Sequence, residues 1–103
     1  MDTLDRIKDI IIEEVCPDKI ILFGSRARGD HSENSDYDIL ILKRNMINSR
    51  KSMGTIYKRL FRERIIDDID LLMADPDIFE EHKNTVGYVY HNIHKDGRTI
   101  FGS

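Results

Sequence analysis

The stretch "FGSRARGDHSENSDYDILIL", Phe23–Leu42, decides how this chain is read. It sets a Gly-Ser-Arg loop between two apolar runs, and the second run opens with two aspartates one residue apart. Asp36 and Asp38 stand at the mouth of "YDILIL", 37–42, a run too continuously apolar to keep one face in water, which reads as a buried strand. On a strand, side chains two residues apart share a face, so both carboxylates project together while Tyr37 points away. Two carboxylates that close repel each other, and both stay ionised only beside cations. An all-oxygen pair suits a hard ion such as Mg²⁺, which takes one or two carboxylates together with waters and substrate phosphates.

Working outward, the chain offers a third carboxylate in a similar setting. In "IDDIDLLMA", 66–74, an alternating segment becomes apolar and reads as a strand. Asp68 and Asp70 share one face of it, and Asp70 is the better candidate because it lies deeper, next to the apolar run. Asp67 faces the other way. Were the two strands neighbours, Asp36, Asp38 and Asp70 would converge on a pair of metals. An Asp-x-Asp at a strand mouth is by itself more often a solvated pair, so the upstream loop carries the decision.

That loop, "GSRARG", follows "KIILF", 19–23, a short β-branched run read as a strand. Gly24 lets the backbone approach a ligand closely, and exposed amides with the Ser25 hydroxyl suit phosphate oxygens. Arg26 and Arg28 are candidates for charge-assisted hydrogen bonds to a triphosphate. Gly24 and Gly29 have the spacing of an ATPase P-loop, but Asp30 and His31 stand where that motif needs Lys and Ser/Thr. Without the lysine clamp the P-loop reading fails.

The remaining elements follow from periodicity. Leu4, Ile7, Ile10 and Ile11 predict a helix over 3–15 that Pro17 closes. Met53, Ile56, Tyr57, Leu60 and Phe61 predict a helix within 45–62 with one core-facing stripe. Asp75-Pro76 matches an N-cap and first helical position, opening a short helix to about residue 81. A further helix is expected over 84–95, with Val86, Val89, Tyr90 and Ile93 inward, then a closing strand "RTIF", 98–101. The order α-β-β-α-β-α-α-β gives an α+β fold, a small mixed β-sheet backed by helices.

Gly24-Ser25, ten residues, then Asp36-x-Asp38 resembles the G-S-x10-D-x-D signature of the minimal nucleotidyltransferases of the DNA polymerase β superfamily. The "IDLL" strand and the terminal "KDGRTIFG" are similar to the family pattern as well. The resemblance implies a polymerase-β-like nucleotidyltransferase palm. It implies that Gly24 and Ser25 hold the β- and γ-phosphates of a nucleoside triphosphate, for which ATP is the expected choice. Asp36, Asp38 and Asp70 would be the catalytic, metal-binding carboxylates, with two Mg²⁺ ions, and a hydroxyl would attack the α-phosphorus while pyrophosphate leaves. Stand-alone members of the family are often encoded beside a HEPN-type toxin, and in the characterised pairs they silence it by attaching AMP to a tyrosine. The resemblance thus implies an antitoxin that is a protein adenylyltransferase, with that toxin as substrate and hetero-oligomeric partner. The alternatives left open are a binding module that neutralises its partner by occlusion, and nucleotidyl transfer to RNA.

Composition narrows the field. At 103 residues the chain is expected to be a single domain, 1–103, without further domains to grip an acceptor. With 40% hydrophobic and 34% charged residues it has a globular make-up, and a net charge of −3 argues against a general nucleic-acid binder. Half of its 16 basic residues nevertheless fall between Lys43 and Arg64, against the single acid Glu63. The plain reading of that segment is a solvated helix face; partner docking comes next, and RNA last. A lone cysteine, Cys16, rules out an internal disulfide and fits a reducing cytoplasm. The absence of a signal-like or membrane-length apolar run makes a soluble cytoplasmic protein the expectation. His31, His82, His91 and His94 form no metal-ligand spacing.

Overall fold

The structure, a computed structural model, describes residues 2–102. It contains α1 (Thr3–Val15), β1 (Lys19–Phe23), α2 (Ser25–Arg28), β2 (Tyr37–Leu42), α3 (Ser49–Arg62), β3 (Ile69–Ala74), α4 (Pro76–His82), α5 (Val89–Asp96) and β4 (Arg98–Phe101). The four strands form one mixed sheet in the order β3-β2-β1-β4. β1 runs antiparallel to both of its neighbours, whereas β2 and β3 are parallel.

The continuous apolar run of β2 is explained by a helix layer on each face. Ile39 and Ile41 join Ile20, Leu22 and Leu71 beneath α1 and α3, which contribute Ile7, Ile10, Ile11, Ile56 and Leu60. Leu40 and Leu42 join Ile21 on the opposite face, where Phe79 of α4 and Ile93 of α5 close a smaller core. Side-chain alternation sends successive residues to different cores, so no position of the strand is free to be polar until it emerges at its end. Asp38 is the first such position.

Local chemistry sets the boundaries. Asp2 caps α1 by accepting from the Asp5 amide, and the helix ends at Cys16 in the left-handed region, φ 48°. Asp75 accepts from the Asp77 amide with Pro76 at the start of α4, as the sequence leads one to expect. Three expectations shift. α3 begins at Ser49 because the Asn48 side chain caps it, accepting from the Lys51 amide, and Asn45 at φ 61° does not belong to a helix. β3 begins at Ile69, and Ile66 is left 92% exposed. α5 begins at Val89, because Gly87 at φ 98° breaks the chain before it, and Val86 and Val89 lie in the open.

The stripe on α3 is also narrower than expected. Ile56 and Leu60 are buried, but Tyr57 is 42% and Phe61 85% exposed. α1 and α3 are tied at their surface by Arg59, which donates to Glu13, Glu14 and Glu63.

Candidate active site

β2 and β3 start, and β1 ends, at one end of the sheet, and the loops there carry the polar residues singled out above. Asp38 is the register partner of Phe23 on β1 and of Asp70 on β3. Parity places Asp38 and Asp70 on the same face as Leu40, Leu42, Leu72 and Ala74, just past the end of the smaller core. Asp36 lies one residue before β2 on a solvent-exposed stretch. Asp68 stays outside the ladder and its carbonyl accepts from the Tyr37 amide.

The charges of Asp70 and Asp36 both reach Asp38. The Asp38 carboxyl is held above the usual carboxylate range, first by burial, then by the charges of Asp70 and Asp36, with Arg28 partly offsetting them. Neutralisation by a hard cation would relieve that repulsion, so the donor set fits Mg²⁺ in chemistry. Among the described residues, no three His, Cys, Asp or Glu side chains are gathered tightly enough to hold a metal ion by themselves. Such an ion would complete its shell from water and substrate oxygens.

Gly24 joins β1 to the single turn α2 at φ 73°, and its missing side chain is a requirement of the site. A Cβ placed there would collide with the Asp38 carboxylate and come within 3.1 Å of its Cγ. Gly29, at φ 86°, closes the turn. A helix of four residues has no periodicity to mark it, so α2 adds a turn to the order expected from the sequence.

The two arginines have distinct surroundings. Arg26 donates from Nε to the Ser35 carbonyl at 2.9 Å and from Nη2 to the Glu33 carbonyl at 3.1 Å. Its guanidinium also lies 3.9 Å from the centre of the Tyr37 ring. It therefore clamps the loop leading into Asp36, a role not anticipated from sequence. Arg28 pairs with Asp30 at 3.1 Å and approaches Asp96 at 3.7 Å, and its charge reaches Asp38. Beside this loop a cleft of about 350 Å³ is lined by Glu33, Asn34, Ser35, Ile66, Asp67 and Asp68.

Tyr57, read from sequence only as a packing residue, also reaches this region. Its hydroxyl bonds the backbone of β3 on either side of Asp70. Only the tertiary fold brings it there, because 12 and 14 residues separate it from its two partners.

Comparison with known proteins bears on the family and the fold. The family model described as "Polymerase beta, Nucleotidyltransferase" matches residues 5–103. Two proteins of Methanocaldococcus jannaschii that carry the provisional name protein adenylyltransferase are similar in sequence. One is 38% identical over 71 aligned positions, covering 52% of this chain and 72% of that protein. The other is 32% identical over 84 positions, covering 81% and 77%. In fold, the chain is similar to a chain in the crystal structure of a toxin–antitoxin with AMP-PNP, with a TM-score of 0.69 and 19% identity over 99% of this chain and 75% of that one.

Proposed function

Because the chain belongs to the polymerase beta nucleotidyltransferase family, we propose that it transfers AMP from ATP to a hydroxyl of a partner protein. We take that hydroxyl to be a tyrosine of a HEPN-type toxin, which the transfer silences. The observation that carries this reading is the side-by-side placement of Asp38 and Asp70, with Gly24 left bare against the Asp38 carboxylate. A purely structural protein gains nothing from holding repelling carboxylates together at the end of its core.

In this reading Gly24 and Ser25 receive the terminal phosphates of ATP, with Arg28 beside them. Arg26 acts at one remove by holding the loop that presents Asp36. Asp36, Asp38 and Asp70 would hold Mg²⁺, two ions in the fullest form, whose chemistry is to neutralise phosphate charge and polarise the α-phosphoryl group. Asp70, exposed at the strand mouth, accepts the proton of the attacking hydroxyl. A new oxygen–phosphorus bond forms to the acceptor, the bond to the departing pyrophosphate breaks, and the proton passes from Asp70 to solvent. The names of the two Methanocaldococcus proteins and the toxin–antitoxin setting of the structural neighbour support a protein acceptor.

Occlusion without transfer is the second reading, favoured by the exposed Phe61 and Ile66 beside Arg62 and Arg64. One experiment separates the two. The partner is incubated with this protein, ATP and Mg²⁺, and its intact mass is measured. An added AMP that disappears with Asp36→Ala/Asp38→Ala supports transfer. A tight complex with no mass change, or full neutralisation by the double variant, supports occlusion.

A further inference from the structure

β3 is an edge strand, so the backbone groups on its outer side lack a strand partner. Asp68 and Ala74 turn their carbonyls toward β2, accepting from Tyr37 and Lys43. By alternation, Ile69 and Leu71 therefore turn theirs outward. The hydroxyl of Tyr57 on α3 meets both outward groups, accepting from the Leu71 amide at 3.1 Å and donating to the Ile69 carbonyl at 3.2 Å. The two bonds bracket Asp70.

At an open edge, water satisfies such groups as well as a side chain does. The tyrosine supplies rigidity instead. It ties the peptide planes on both sides of the Asp70 Cα to a helix anchored in the core by Ile56 and Leu60. No other β3 residue among those described has side-chain hydrogen bonds to the backbone on both flanks. From this geometry we propose that Tyr57 is a positioning residue, setting the direction in which Asp70 presents its oxygens. The proposal rests on the metal-binding role given to Asp70 above.

Tyr57→Phe removes one oxygen and keeps the ring, so it isolates the effect. Two readouts are needed: amide hydrogen exchange across β2 and β3, and the affinity of Mn²⁺ in the presence of a non-hydrolysable ATP analogue. Wild type, Tyr57→Phe, Asp70→Asn and the double variant are compared. Exchange at Leu71 should speed up in Tyr57→Phe while the amides of β2 stay protected. Mn²⁺ affinity should fall about tenfold, as for loss of an outer-shell partner. With Asp70→Asn already present, Tyr57→Phe should cause no further loss, because it acts through that carboxylate. An equal loss in both backgrounds, or none in either, overturns the positioning role while the site reading stands. Wild-type affinity in Asp70→Asn instead overturns the role of Asp70 itself, and the proposal falls with it.

Discussion

Asp38 and Asp70 face each other as register partners across the parallel β2–β3 pair, and that relation stores repulsion in the folded state. Burial and the charges of Asp70 and Asp36 raise the Asp38 pKa above its unfolded value. Between the two values the folded chain keeps a proton that the unfolded chain has released. Stability therefore falls as pH rises from about 3.9 through the folded pKa, and the full penalty persists above it. In chelator-treated protein, Asp38→Asn should melt a few degrees higher than wild type at pH 7. The gap should close as pH drops below about 4. A gap that stays constant with pH would assign it to packing instead of charge.

Gly24→Ala should harm the site more than the fold. A Cβ at φ 73° is strained, at about 1–3 kcal/mol, and it would push the Asp38 carboxylate out of place. Thermal melting should show a modest loss, while binding of Mn²⁺ with a nucleotide analogue should drop by about a hundredfold, beyond what strain alone predicts. Loss of stability with unchanged binding would mean that the glycine serves only the turn.

Arg26→Lys is not a conservative change here. Lysine keeps the charge but loses the planar fork that reaches the Ser35 and Glu33 carbonyls together and lies on the Tyr37 ring. Amide exchange over residues 30–36 should accelerate by about tenfold, with β1 and β2 unaffected. Protection equal to wild type would return Arg26 to the phosphate-facing role that its place in the loop first suggests.

What could be read from the sequence follows physical range. β1 and β2 are marked by short apolar runs bounded by polar residues, and α1 by a clean apolar stripe, so local pattern locates them. Strand parity pairs Asp36 with Asp38, and Asp68 with Asp70, over two residues, although Asp36 and Asp68 lie just outside β2 and β3 in the structure. The link between those pairs required β2 and β3 to be neighbours, which the chain does not write locally. The Arg26 clamp and the Tyr57 bridge were illegible for the same reason, since each joins a side chain to backbone groups 7 to 14 residues away. The start of α3 within 45–62 is set by the Asn48 cap, a single polar side chain that apolar periodicity does not mark.

Two glycines should respond to alanine with opposite signs. Gly54 lies inside α3, where a Cβ would meet nothing within 4 Å. Glycine there loses more backbone freedom on folding than alanine does, so Gly54→Ala should stabilise the protein by about 0.5–1 kcal/mol. Gly97 lies between α5 and β4, and its amide donates to the Ile93 carbonyl at 2.6 Å. A Cβ at that position would strike the same carbonyl and stand 2.8 Å from Cγ2 of the buried Ile21. Neither a backbone carbonyl nor a core side chain gives way cheaply, so Gly97→Ala should destabilise by about 1–3 kcal/mol. Denaturant melts of both variants check the pair, and equal shifts of one sign would mean that α5 does not pack on β1 as described. Gly97 also follows Asp96, the partner of Arg28, so the damage should spread to the site: Mn²⁺ and nucleotide binding should weaken in Gly97→Ala and stay at the wild-type level in Gly54→Ala.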